Sequence, residues 1–311
     1  MVGAHIAALL HDFRQDGDAF LQAELARRAT EVARTAPELS PVIAAMQELS
    51  AGGKRLRGAL TLLGYRAAGG DPAGEAEVIK AGVMMELFHL GLLCQDDVFD
   101  RDSLRRGVTT IHMRYPDLHL GEGMAVLAGD FTFGWAIEIL SSLDMSRDQV
   151  IVALQIWGKY FARVGYGEAL DVLTEQRGTV SEETMLQILS LKSGEYSCVL
   201  PLQLGAALAG ASAEVQQKLY DYGMELGWVF QIRDDYLAEF GDSEKTGKPV
   251  GNDSREGKKT YATLYGAAKT LAEIERHVEK GRIIIQNSKF RIQNVREVFN
   301  EILDWMATRE N

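Results

Sequence analysis

The stretch Met84–Asp100 reads MMELFHLGLLCQDDVFD, and its interpretation decides the fold. From Met84 to Gln95 apolar residues crowd nearly every position, without the strict alternation of a half-buried strand. A run of this kind is a helix apolar on most of its faces, which is stable only when other helices surround it. It ends in Asp96-Asp97-Val98-Phe99-Asp100. Asp96 and Asp100 are four residues apart, so their carboxylates stack on one helix face a turn apart. Like charges so placed repel, and a cation belongs beside them. Ligands that are all oxygen suit Mg²⁺, which binds through a few carboxylates, keeps waters and completes its shell with phosphate oxygens. The plainer reading is a solvated acidic helix end beside Arg101, Arg105 and Arg106.

A second cluster has the same build. Tyr222 to Phe230 is an apolar helix, followed by Gln231-Ile232-Arg233-Asp234-Asp235. Two Asp pairs ending two apolar helices argue against coincidence. Separate cationic stretches accompany them. Gly52-Gly53-Lys54-Arg55-Leu56-Arg57 places a glycine pair and three cations at a helix start, where backbone N–H groups, the helix dipole and guanidinium forks all favour a phosphate. Arg105-Arg106-Gly107 follows the first Asp cluster, and Lys192, Lys248 and Lys258 come later. The combination implies one diphosphate held through metal and another held directly.

The rest of the chain fits one all-α domain over residues 1–311. Its 311 residues are 46% hydrophobic, with only six prolines. Helical periodicity covers Ala19 to Ala33 and roughly 74–102, 121–143, 147–173, 212–240 and 258–281. Ser40-Pro41 reads as an N-cap followed by proline in the first turn, and Ser181 to Thr184 as a helix start with early acidic residues. Tyr115 to Gly123 and Gly241 to Gly257 read as loops, and no convincing strand pattern is present. A net charge of −11 argues against nucleic acid as a partner. Cys94 and Cys198, set among apolar residues, read as buried thiols. The first residues lack the basic start of a signal peptide, and no stretch reaches the ~18 uninterrupted apolar residues of a membrane span. A cytoplasmic location is the resulting expectation.

Taken in order, GGKRLR at 52–57, His89, DDVFD at 96–100, RRG at 105–107, LKSG at 191–194, FQIRDD at 230–235 and TGKPVGNDSREGKKT at 246–260 resemble the all-trans polyprenyl diphosphate synthases. The resemblance implies an all-α helical bundle of the isoprenoid synthase type around a deep central cavity. It implies head-to-tail condensation of isopentenyl diphosphate with an allylic diphosphate, using three Mg²⁺ ions. Asp96, Asp100 and Asp234 would be ligands, with Asp97 and Asp235 in support. Arg105, Lys192 and Lys258 would hold the allylic diphosphate, and Lys248 would help cover it. Lys54, Arg57, His89 and Arg106 would hold isopentenyl diphosphate. Ser193 and Gln231 would line the allylic oxygen and the developing carbocation, and a homodimer is typical.

Several positions depart from the family pattern. Ala238, then Glu239, replaces a third Asp of the second cluster, with Asp253 placed to add a contact. Glu168 stands for the glutamine of G-Q-x-x-D, with Asp171 kept, and Thr109 stands where proline is frequent. A helical turn of 5.4 Å is close to one isoprene unit. Gly91 and Leu92, one turn above the first Asp cluster, offer no aromatic plug, whereas Phe88 does at two turns, so a C20 product is expected over C15. The alternatives are a farnesyl or longer product, a weakly active or non-catalytic subunit of a heteromeric synthase, and a class I terpene cyclase. The intact DDVFD argues against the subunit, and the second diphosphate site against the cyclase.

Overall fold

The computed structural model describes residues 3–177, 180–242, 251, 260–288 and 294–310. Lys248, Asp253, Lys258 and most of the 241–257 loop lie outside the described residues. The architecture is all-α. Helices α1 (Ala4–Thr35), α2 (Ser40–Ser50), α3 (Leu56–Ala67), α4 (Glu75–Phe99), α5 (Leu118–Ser141) and α6 (Arg147–Arg177) are followed by α7 (Glu182–Leu189), α8 (Leu200–Leu208), α9 (Ala213–Phe240), α10 (Tyr261–Gln286) and α11 (Val295–Thr308). Among the described residues the only strands are β1 (Leu104–Arg105) and β2 (Val108–Thr109), paired antiparallel. The chain divides into two compact units. One comprises Leu10–Leu62 and Pro72–Leu154; the other comprises Met1–Leu9, Leu63–Asp71 and Gln155–Asn311.

In the first unit, Val42, Ile43 and Met46 of α2, Leu90 and Cys94 of α4, and Ala125 and Ala128 of α5 form one buried cluster. Helix α4 is buried along most of its length, as its all-round apolar sequence requires. Gly91 lets α4 and α5 come together, because a Cβ there would lie 1.9 Å from Thr132 Oγ1 and 3.0 Å from the Gly129 carbonyl oxygen. Its small size therefore serves helix packing. Phe88 is fully buried and meets Phe133 of α5 edge-on, ring centroids 5.5 Å apart. Leu92 is partly buried.

Two local expectations are corrected here. A 3₁₀ turn over Pro37–Leu39 runs straight into α2, so Ser40 is already helical and makes no side-chain cap. Helix α5 starts at Leu118, inside the expected loop, because the Asp117 carboxylate accepts the Leu120 N–H at 2.7 Å and supplies the cap. By length and composition α5 could cross a membrane, with mean hydropathy 1.3 over 18 residues. Glu122, Asp130 and Glu138 interrupt it, and one side packs on α4. Leu118, Leu120, Leu127 and Ile137 on α5 remain exposed.

In the second unit the helix expected to start at Ser181 to Thr184 is present, and Ser181 caps it by accepting the Thr184 N–H. From Glu182 to Leu208 the chain is helical throughout, but Ser190–Val199 is π-helical. The Leu200 N–H reaches Glu195 O, five residues back. Pro201 has no N–H to close onto the carbonyl four residues earlier, which favours this wider winding. The LKSG motif lies on the π segment. Its Gly194 touches Gly227 of α9, where a Cβ on Gly227 would be 2.2 Å from the Gly194 Cα. Tyr222 of α9 donates to the Phe299 carbonyl of α11 at 2.7 Å. Both cysteines are buried thiols, as expected.

Candidate active site

In the first unit the cations gather around one cleft. Arg55 has a left-handed backbone (φ 57°) and a buried guanidinium that donates to Asp18 Oδ1 at 2.7 Å, the Ser50 carbonyl at 2.7 Å and the Gly52 carbonyl at 3.0 Å. It braces the entry to α3. The RRG sequence forms the β1–β2 hairpin turn, with Arg106 and Gly107 at φ 53° and 78°. Positive φ at both central residues is the tight hairpin geometry that favours glycine at the second. This turn carries the Arg106 side chain onto the Gly52-Gly53 pair, where Nη1 donates to the Gly52 carbonyl at 2.9 Å. A Cβ on Gly53 would lie 3.0 Å from that guanidinium. The glycine pair therefore makes room for Arg106, a duty the sequence reading did not anticipate.

His89 of α4 lines this narrow cleft together with Arg55, Glu86 and Arg106. Burial holds the imidazole well below its ordinary pKa of 6.5, and the charges of Arg57, Arg106, Arg105 and Arg55 push the same way. Burial also lowers Arg106, with Glu86 opposing and the neighbouring arginines adding to the shift. Glu86 is the one carboxylate on the lining, and it accepts the Gly58 N–H at 3.0 Å. With Arg55 paired to Asp18, Arg57 and Arg106 face one carboxylate and a neutral imidazole, an excess of positive charge that a polyanion would relieve. Lys54 is exposed and Arg57 partly buried beside it on the chain.

The first Asp cluster ends α4, where the negative end of the helix dipole adds to the carboxylates and favours a cation. Asp96 is partly exposed, Asp100 is the exposed C-cap, and Asp97 turns inward with 1% exposure. Arg105 bridges the pair, hydrogen-bonding Asp97 through Nε and Asp96 through Nη2 at 3.1 Å. Burial raises Asp97 to about 6 against the pull of Arg105. Its Oδ2 is buried with no hydrogen-bond partner. Among the described residues, no three acidic, His or Cys side chains close around a common point. Hard oxygen donors, an orphaned carboxylate oxygen and an incomplete protein shell fit Mg²⁺, which takes its remaining ligands from water and phosphate.

The second unit places Ser193, Gln231, Asp234 and Asp235 on the π segment and α9. Ser193 Oγ is 2.5 Å from Gln231 Oε1, and Gln231 Nε2 is 2.9 Å from Asp235 Oδ1. The other Asp235 oxygen accepts the Tyr261 N–H of α10 at 3.1 Å. Asp235 is buried, whereas the Asp234 side chain is 40% exposed. Sequence reasoning missed Arg309, which donates to Asp234 Oδ1 at 2.5 Å and to the Phe230 carbonyl at 3.0 Å. Its guanidinium lies over the Phe230 ring at 4.5 Å, and Arg233 holds its carbonyl with two hydrogen bonds. Nothing in local spacing could have revealed a partner 75 residues away.

Lys192 is bound by both residues of the altered G-Q-x-x-D segment, with Nζ 2.8 Å from Glu168 and 2.8 Å from Asp171. Glu168 thus pairs with this lysine and holds part of its charge. The Glu168→Gln variant is expected to lower the KM of an anionic substrate bound by Lys192 about 2–5-fold, the worth of one partly exposed charge pair. Initial rates against that substrate check it, and an unchanged KM would remove Lys192 from the binding set.

The family model for polyprenyl synthetase matches residues 41–302, and the chain belongs to that family. A geranylfarnesyl diphosphate synthase of Aeropyrum pernix is 38% identical over 229 residues, covering 73% of this chain and 70% of that protein. A geranylgeranyl diphosphate synthase of Saccharolobus solfataricus is 36% identical, covering 72% of this chain and 64% of that protein. The fold is also that of the geranylgeranyl pyrophosphate synthase of Corynebacterium glutamicum solved with isoprenyl diphosphate and magnesium. That structure has a TM-score of 0.83 and 24% identity, covering 97% of this chain and 98% of that one.

Proposed function

We propose that this chain is a trans-prenyl diphosphate synthase that condenses isopentenyl diphosphate with an allylic diphosphate, giving a C20 product. The observation that carries the reading is the cation-rich cleft at His89 on the same helix that ends in the Asp cluster. One chain element thus serves a direct anion site and a metal site, as two diphosphate substrates require. Asp96, Asp100 and Asp234 would hold Mg²⁺, with Asp97 in support. Bound Mg²⁺ would neutralise charge on the allylic diphosphate and so favour its departure. Arg105 and Lys192 add cationic contacts to that leaving group, and Lys54, Arg57, His89 and Arg106 fix isopentenyl diphosphate. Ser193 and Gln231 present oxygens to the developing cation, and exclusion of water protects it. Incubation with both substrates, with and without Mg²⁺, and sizing of the product test the reading. Elongation only after addition of a second protein would replace it with the subunit reading.

Product length would depend on Phe88, a fully buried ring that meets Phe133 edge-on and would close the floor beneath the growing chain. Phe88→Ala is expected to shift the product to C25 and beyond, at about 3–5 kcal/mol of stability for the buried ring. Mass spectrometry of the extracted diphosphates reads the shift; the same C20 product would move the floor elsewhere. The exposed apolar residues of α5 suit a homodimer, since exposed apolar surface is available for association. A solution mass near 34.3 kDa at micromolar concentration would contradict the dimer.

A further inference from the structure

We infer that Asp235 is a positioning residue rather than a cation ligand, and that it sets the direction of a hydrogen-bond chain ending at the Ser193 hydroxyl. The inference rests on the proposed reading in one respect, that Ser193 faces the carbon where positive charge develops. The direction of the chain follows from which groups can only donate and which can only accept. Asp235 is 6% exposed, and as a carboxylate it accepts on both oxygens, from the Tyr261 N–H on one side and Gln231 on the other. The Gln231 atom facing it must therefore be the amide nitrogen. That turns the Gln231 carbonyl toward Ser193, and a carbonyl can only accept, so the Ser193 hydroxyl must donate. Ser193 is itself 6% exposed, so bulk water is not at hand to reverse the arrangement.

The hydroxyl proton is thereby committed, and toward any other neighbour Ser193 offers lone pairs. An oxygen fixed in that state stabilises an adjacent developing cation without reorientation during the reaction. A hydroxyl free to rotate would lose part of this effect. Packing maintains the distance, because Gly194 and Gly227 bring the π segment against α9 one turn from Gln231. The same carboxylate holds the first turn of α10, so each oxygen of the second Asp of the motif already accepts from a protein donor.

Asp235→Asn cannot accept from both Tyr261 and Gln231, so it should release the Gln231 amide. The expected result is a kcat lower by about 10–100-fold, somewhat less than the loss of a direct transition-state contact. Both KM values and the Mn²⁺ affinity measured with inorganic diphosphate should stay within about threefold. Ser193→Ala should lower kcat in the parent enzyme yet cost little more in the Asp235→Asn background, because one chain is broken in each. A Mn²⁺ affinity weakened tenfold or more in Asp235→Asn, or fully additive losses, would overturn the inference. Should Asp235→Asn fail to fold, Gln231→Met leaves the Asp235–Tyr261 bond intact, and its losses must likewise be non-additive with Ser193→Ala. Absence of turnover by the parent enzyme would overturn the prenyl-transfer reading instead. The Mn²⁺ affinity and hydrogen exchange of the 261–265 amides in Asp235→Asn then still decide the role of Asp235. Retained affinity with faster exchange upholds positioning, and lost affinity overturns it.

Discussion

Asp96→Ala is expected to lower kcat by about 10³–10⁴-fold, and Asp100→Ala by a similar factor. Transition-state charge stabilisation through a metal is worth several kcal/mol, and each 1.36 kcal/mol is about tenfold in rate. The structure indicates why folding should survive. Asp96 is partly exposed on the last turn of α4, and Arg105 keeps Asp97 and, at 3.6 Å, Asp102 when Asp96 is removed. The loss should therefore appear in turnover and in Mn²⁺ binding with inorganic diphosphate, while the thermal midpoint moves by only a few degrees. Turnover above a tenth of the parent rate, or unchanged Mn²⁺ binding, would show that the first Asp cluster is the solvated helix end of the plainer reading.

The second large effect is expected at the cationic cleft. Arg106→Gln should raise the KM for isopentenyl diphosphate about 10–100-fold, since a hydrogen bond to a charged group contributes about 1.5–3 kcal/mol. The allylic KM should stay within about threefold. Equal rises in both would mean that the substitution had disturbed the hairpin, because Arg106 also holds the Gly52 carbonyl. His89 adds a pH dependence whose sign is fixed. Its folded pKa lies below 6.5, so on acidification the unfolded chain takes up the proton first. The His89 contribution to stability is therefore full above about 6.5 and falls as pH drops below it, by at most about 1.4 kcal/mol per unit, while Asp97, raised to about 6, acts in the opposite sense. A bound diphosphate reverses the preference and favours the imidazolium, so its binding should tighten as pH falls through that window. Urea unfolding and substrate titration between pH 7 and 5.5 read both slopes, and His89→Asn should flatten them.

Much of the site was legible because its chemistry is local in sequence. The carboxylates of Asp96 and Asp100 share a helix face by spacing alone, and the apolar run before them demanded burial among helices. The caps at Ser181 and Asp117 show the other side. Ser181 was readable because acidic residues follow it, whereas Asp117 was hidden by the glycines inside α5. The RRG turn could not be anticipated from strand signals, because two residues are too few to show alternation. The π winding of LKSG depends on Pro201 and on the contact with Gly227, and neither marks it in the motif itself.

By itself, the sequence determined the helical class, the two acidic helix ends and the cationic stretches that accompany them, because helical spacing and charge are local properties. The tertiary structure alone decided the duties of individual groups. It placed Gly91 against α5, Arg106 over the Gly52-Gly53 pair, Glu168 on Lys192 and Arg309 on Asp234. It also turned Asp97 and Asp235 inward while leaving Asp100 and Asp234 accessible. Two neighbouring carboxylates are chemically identical in a sequence, and only their burial and their partners set them apart.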